Sequence, residues 1–276
     1  MKQILVASDF SVNAENALTY ALSLAKVLNL EVSVLHAIHP TEGINNSTYN
    51  AIFIEDYYAK KRAALKSWVE KINHTDEYNE VTIKTSCDVG FLRAVITKYI
   101  EYNDVSFLAM GITGSTGIKG IVGSNTSMII TKMRIPTLIV HPESTLKENP
   151  IVTLATDYKT TKLSVKDLKA LNQFLKASNP KRLEVLHISE KETDEKTIKN
   201  SEKKLQEQIK ASEINFNYID EEGRTSNSIM EFIEENKTDI LCLVKRDQNM
   251  IYRLFTNSTV DEVLNKSVKA VLVLHE

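Results

Sequence analysis

The residues best suited to chemistry in this sequence are glycines. Only 8 occur in 276 residues, about 3% where roughly 7% is usual. Gly111, Gly114, Gly117, Gly120 and Gly123 fall in one window, and Ser124 and Asn125 follow it. Glycine admits positive φ and lets a ligand approach the backbone closely. An apolar run before the window and a helical pattern after it place it at the carboxyl edge of a sheet, where ligands of open α/β folds bind. Ser124 falls at the cap of the next helix, whose free N–H groups and dipole favour an anion such as phosphate. The sharp reading is a nucleotide phosphate site; the plain one is a surface loop in which glycine only relieves turns. Ile118 precedes Lys119 and no G-x-G occurs, so neither a Walker loop nor the dinucleotide fingerprint is present.

Other candidates are weaker. His36 and His39 lie three apart at the end of an expected strand, where they point to opposite faces and chelate a metal poorly together. His36 and His187 read better as buried, hydrogen-bonded histidines at one repeated spot. Cys87 precedes a helix that could activate a thiol, but with no histidine near it in sequence an inert cysteine is the better reading. Asp9 ends the first apolar run and is either a nucleotide contact or a turn and cap residue. No nucleophile–base pair or paired carboxylates emerge, and Asp9 is the one nearby carboxylate that could serve as a base, so binding or sensing is expected and turnover is not.

These residues need elements to hold them. Ile4–Ala7 reads as a short buried strand, and Ser11 caps a helix whose apolar face is Ala14, Ala17, Leu18, Ala21, Leu24, Ala25 and Leu28. Glu31–Ile38, Glu80–Cys87, Val105–Met110 and Ile135–His141 are strand-like; Tyr49–Ile72, Phe91–Tyr102 and Asn125–Met133 are helical. Near-continuous apolar strands alternating with helices indicate a parallel sheet covered on both faces.

The pattern then repeats. Leu154-Ala-Thr-Asp157 echoes Val6-Ala-Ser-Asp9, Val185-Leu-His187 echoes Val34-Leu-His36, and Gly111 to His141 aligns without a gap with Lys245 to His275. This is an internal duplication of about 135 residues, predicting α/β domains over 1–142 and 149–276, each a Rossmann-like five-stranded parallel sheet. Pro142–Asn149 is polar and serves as the linker. In the second copy Lys245, Gln248 and Asn257 replace Gly111, Gly114 and Gly123, and Ser258 retains the type of Ser124. Lys245 and Arg246 either bind another anion or, the blander reading, close a dead pocket.

At this point the chain resembles a tandem universal stress protein. Nucleotide-binding members of that family carry G-x2-G-x9-G-[S/T] after the fourth strand and an aspartate after the first. Gly111-x2-Gly114, Gly123-Ser124 and Asp9 match, although eight residues, Ser115 to Val122, lie where the pattern has nine. The resemblance implies ATP or a related adenine nucleotide in the first domain. Ala7, Asp9 and Ala37 would line the adenine, Met110 and Gly111 would lie by the ribose, and Gly114, Gly123, Ser124 and Asn125 would cradle the phosphates. Mg²⁺ or Mn²⁺ would accompany the nucleotide, with no separate metal site. It also implies that the last strands of the two domains meet across a pseudo-two-fold axis, an internal pseudo-dimer that leaves a homodimer possible.

The bulk composition is consistent with this. A net charge of −2 provides no general basic field for nucleic acid. Two distant cysteines, Cys87 and Cys242, build no disulfide framework. The N-terminal apolar run is too short for a signal-peptide core, and no run is long enough to span a membrane. A cytoplasmic stress protein that binds ATP is the expectation. A nucleotide-free interaction module and a weak ATP hydrolase or adenylate transferase are the alternatives.

Overall fold

The computed structural model describes residues 2–42, 51–73, 76–112, 122–156, 163–189, 195–220, 223–245 and 257–275. In the first half the order is β1 (Gln3–Ala7), α1 (Val12–Leu28), β2 (Glu31–Ile38), α2 (Ala51–Ile72), β3 (Ile83–Val89), α3 (Leu92–Tyr102), β4 (Val105–Gly111), α4 (Ser124–Lys132) and β5 (Thr137–Val140). The second half runs β6 (Ile151–Thr156), α5 (Val165–Ser178), β7 (Arg182–Ser189), α6 (Glu195–Gln208), β8 (Ile214–Asp220), α7 (Thr225–Glu235), β9 (Ile240–Lys245), α8 (Asn257–Lys266) and β10 (Ala270–His275).

Local chemistry explains these boundaries. Ser11 caps α1 by accepting the Ala14 N–H at 3.2 Å, an arrangement that contributes about 1 kcal/mol. Asn29 closes the helix in the left-handed region, φ 51°, with its N–H on the Ala25 carbonyl. Ser164 and Asn179 do the same for α5, so the repeat is legible even in its caps. Two strands begin later than the sequence pattern predicts, β5 at Thr137 in place of Ile135 and β3 more markedly. β3 starts at Ile83 and not at Glu80, because the Val81 N–H is taken by the Tyr78 carbonyl of a preceding 3₁₀ turn.

The described strands form one sheet of ten, in the order β3-β2-β1-β4-β5-β10-β9-β6-β7-β8. Every neighbouring pair is parallel except β5 and β10. There Leu138 pairs with Leu272, its own counterpart in the repeat, flanked by Ile139 with Val271 and Thr137 with Val273. A pseudo-two-fold axis therefore passes through Leu138 and Leu272, and the two five-stranded sheets join edge to edge as expected.

Alternation along the strands divides the core. Ile4 and Val6 face one apolar layer with α1, α2, α5 and α6; Leu5 and Ala7 face the other with α3, α4, α7 and α8. Both layers contain residues of both halves, and α1 packs against α5. The segment between the halves is tied down: Lys147 Nζ lies 2.6 Å from Asp239, and Ser144 Oγ donates to the Val268 carbonyl.

Candidate functional site

In the first half the chain passes from β1 out to β2 and β3, then returns to place β4 on the other side of β1. That reversal opens a crevice between β1 and β4 at their carboxyl ends. Val6 is opposite Ala109, so Ala7 and Met110 end side by side there.

Beyond β1 the backbone turns sharply. The Ser8 N–H still reaches the Leu35 carbonyl of β2 at 2.9 Å. The Phe10 N–H then bonds Ser8 Oγ, and the Ser11 N–H bonds Asp9 Oδ1, both at 3.1 Å. Phe10 takes φ 65°, which costs a side chain about 1–2 kcal/mol. Its ring lies tilted against His36, with centroids 4.5 Å apart, and meets Trp68 edge-on. This turn leaves Asp9 exposed at the edge of the crevice. His36 is buried with Nδ1 2.8 Å from the Ser8 carbonyl, while Nε2 has no hydrogen-bond partner among the described residues. Burial lowers its pKa despite that bond, favouring the neutral ring.

At the end of β4, Gly111 has a structural reason that sequence reading assigned to a ligand. A Cβ there would stand 2.7 Å from the carbonyl carbon and oxygen of Asn13, so the first turn of α1 occupies the space a side chain would need. Thr126 Oγ1 donates to the Gly111 carbonyl at 3.2 Å and ties α4 to the strand. The Gly123 N–H bonds the Ile112 carbonyl at 3.0 Å. Gly123, not Ser124, is the N-cap of α4; at φ −62° and ψ 146° it offers no side chain to the helix N–H groups, and Ser124 and Asn125 stand exposed in the first turn. Ala37 is half-buried near the end of β2. Ala7, Asp9, Ala37, Met110, Gly111, Gly123, Ser124 and Asn125 thus all fall at this carboxyl edge. Gly114, Gly117 and Gly120 lie outside the described residues.

The sequence model of the universal stress protein family matches residues 1–141 and again 165–275. The chain belongs to that family. A universal stress protein of Methanocaldococcus jannaschii is 30% identical over 154 residues, which is 50% of this chain and 94% of its own. The structure of a universal stress protein from Archaeoglobus fulgidus superposes with a TM-score of 0.74 at 21% identity, covering 98% of this chain and 97% of its own. That of a universal stress protein assigned in Pseudomonas aeruginosa gives 0.62 at 13% identity, over 99% and 92%. These two likenesses are of fold, and they extend through both halves.

Two features of this universal stress protein were not read from its sequence. At the end of β2, Glu42 accepts from the His39 N–H at 3.0 Å and from Tyr57 at 2.8 Å, and pairs with Lys61 at 3.0 Å. Burial would raise its pKa, but the His39 N–H, Lys61 and Tyr57 outweigh it and hold the carboxyl down at about 2. His39 also meets Phe91 edge-on at 5.1 Å, joining the loop after β2 to the start of α3. Cys87 nearby has its thiol pKa raised, chiefly by burial, which fits an inert cysteine.

The second feature is in the degenerate half. Lys245, at the position of Gly111, is buried, and Nζ donates to the Ile130 and Thr131 carbonyls at 2.8 and 3.0 Å. Its ammonium is spent on the carboxyl end of α4, where a helix dipole favours positive charge. Its two hydrogen bonds go to main-chain carbonyls of the first half, a role beyond closing the strand end. Burial brings its pKa down to about 8. Arg246, Gln248 and Asp157 lie outside the described residues. At the β10 end, His275 is buried with its backbone N–H on Asp167 Oδ1 at 2.9 Å, and Asp167 in turn bonds Ser164. His187 Nδ1 lies 3.4 Å from the Thr156 carbonyl, the same arrangement as His36 with Ser8.

Proposed function

We propose that the first half binds an adenine nucleotide, ATP by preference, and that the protein works as a nucleotide-dependent sensor in the stress response without turning the nucleotide over. The observation that carries this is the start of α4. A helix N-terminus with no side-chain cap follows β4, at the switch point of the sheet, and such an end attracts phosphate. Ala7, Asp9 and Ala37 would border the base, Met110 and Gly111 the ribose, and Gly114, Gly123, Ser124 and Asn125 the phosphates. Mg²⁺ or Mn²⁺ would arrive with the nucleotide. Among the described residues no group of three or more metal-ligating side chains is gathered, so the phosphates themselves would be its main ligands.

Asp9 commits Oδ1 to the Ser11 N–H, which suits a positioning contact better than a general base. In the reading we favour the chain is cytoplasmic. Cys87 and Cys242 are free, and no described helix is long and apolar enough to cross a membrane. The tandem halves already pair as a dimer would, and further self-association of the chain is compatible with this.

Calorimetric titration with Mg-ATP tests the reading, with Gly123→Val as control. The Gly123 backbone lies where any residue can sit, so that variant adds bulk at the phosphates without backbone strain. Measurable wild-type binding, weakened at least about tenfold by Gly123→Val, is expected. No binding by the wild type overturns the proposal, and steady phosphate release abolished by Asp9→Asn would replace the sensor with an enzyme.

A further inference from the structure

The helix that presents its N-terminus to the phosphates is held by the other half of the chain. Val122, directly before the N-cap Gly123, donates its N–H to Asn265 Oδ1 on α8 at 2.6 Å. Ser127, one turn into α4, has its N–H on the Gly123 carbonyl and its hydroxyl on Asp261 Oδ2 of α8 at 3.0 Å. Lys245, at the end of β9, holds the carboxyl end of α4 through the Ile130 and Thr131 carbonyls. Three side chains of the second half thus grip α4 at its entry, its first turn and its exit.

The two halves do not carry the same residues at these positions. Lys245 stands where the first half has Gly111, which has no side chain to reach α8, and Asp261 stands where the first half has Ser127. The exchange of glycine for lysine in the second copy therefore does more than close a site. It converts a position at the strand end into a clamp on the neighbouring half.

We propose that the second half is a built-in positioning subunit for the first: Asn265 and Asp261 set where the α4 N-terminus and the Val122 amide stand, and so tune the affinity of the phosphate site. This rests on the nucleotide-binding reading above. Neither residue is placed on the nucleotide; Asn265 acts through the Val122 amide and Asp261 through the Ser127 hydroxyl.

The test has two arms on the full chain. The first is amide hydrogen exchange across residues 122–127 without nucleotide, comparing wild type with Asn265→Ala, Asp261→Ala and the conservative Asn265→Asp, which keeps an acceptor for Val122. The loss of one such bond corresponds to roughly five- to tenfold faster exchange. We expect that acceleration at Val122 in Asn265→Ala, where the amide loses its acceptor. Faster exchange is also expected at Ser127 in Asp261→Ala, where the hydroxyl tether holding the first turn of α4 is lost, with α1 unchanged and Asn265→Asp near wild type. The second arm is Mg-ATP affinity, expected to weaken by a similar factor in the two alanine variants and to recover in Asn265→Asp.

Unchanged exchange at 122–127 overturns the proposal, as does faster exchange with unchanged affinity. Acceleration that spreads equally into α1 also overturns it, because it marks general destabilisation. If the wild type binds no ATP, the nucleotide reading fails by itself, and the exchange arm alone decides whether the second half holds α4.

Discussion

Ser127 in α4 and Asp261 in α8 occupy the same place in the two repeats, and the Ser127 hydroxyl donates to the Asp261 carboxylate at 3.0 Å. Near a two-fold axis a residue tends to meet its own counterpart, as Leu138 meets Leu272 in the sheet. In α4 and α8 the counterparts have diverged into donor and acceptor. Two copies of the first half would bring Ser127 to Ser127; two copies of the second would bring one carboxylate against another. Like charges set together at an interface cost several kcal/mol.

The divergence predicts how separated halves behave. A fragment over 1–142, once shown folded by circular dichroism, is expected to self-associate through the exposed edge of β5. A fragment over 149–276 is expected to do so at least about tenfold more weakly at neutral pH. Sedimentation equilibrium reads both constants. Equal association would leave Ser127 and Asp261 without a part in partner choice. Because both apolar layers run through both halves, each fragment is also expected to unfold at a lower denaturant concentration than the intact chain.

Lys245 gives the stability of the protein a particular pH dependence. Burial lowers its pKa in the folded state to about 8, with Lys132 and Arg134 pushing in the same direction and Asp261 opposing them. In the unfolded chain its pKa returns to the usual lysine range, about 10.4. Below pH 8 the lysine is charged in both states and the cost of burying that charge is present in full. Between about 8 and 10.4 the unfolded state binds the extra proton, so stability rises with pH. Urea unfolding of wild type against Lys245→Met is expected to show a difference that is flat from about pH 6 to 7 and moves in favour of wild type from about 8 to 10. A flat difference throughout contradicts the assignment.

Gly111→Ala separates the two reasons for a glycine at the end of β4. If only a ligand needed that space, the nucleotide-free protein would tolerate alanine. The added Cβ, however, meets the Asn13 backbone at 2.7 Å, and main chain yields less readily than a side-chain tip. Overpacking of this kind costs about 1–3 kcal/mol. Chemical denaturation without nucleotide is expected to register a loss in that range, and an unchanged midpoint would return Gly111 to the ligand alone.

The fold was legible because its signals are local and periodic. Apolar strands, the cap at Ser11 and the matching of Gly111–His141 to Lys245–His275 all lie in short stretches of sequence. The site was legible in part. The position of Asp9, Gly123 and Ser124 follows from strand-then-helix order. The contact of Gly111 with Asn13 does not, since nothing in either segment announces a helix passing that close. Lys245 was seen as a departure from glycine, but its partners lie in α4, across the pseudo-two-fold axis, and no pattern in its own segment points there. The Glu42, Tyr57 and Lys61 cluster was missed for the same reason: the three residues have ordinary surface types and meet only because α2 folds back over the loop after β2.

That cluster carries the last prediction. Glu42 is held down at about 2, burial being outweighed by the His39 N–H, Lys61 and Tyr57. In the unfolded chain its pKa is that of an ordinary glutamate, about 4.3. A carboxyl with a depressed folded-state pKa contributes stability that is complete above its unfolded value and is lost as the pH falls through the folded value. The stability difference between wild type and Glu42→Gln should therefore be constant from about pH 7 down to about 5 and shrink between about 4.3 and 2. Because Glu42 holds the loop that follows Ala37 against α2 through Tyr57 and Lys61, the same variant is expected to accelerate amide exchange at His39, whose N–H would lose its carboxylate partner, while the amides of α4 keep their wild-type rates. A variant that loosens α4 as well would show that the two edges of the crevice are coupled, and the β2 loop and α8 would then act on the site as one unit.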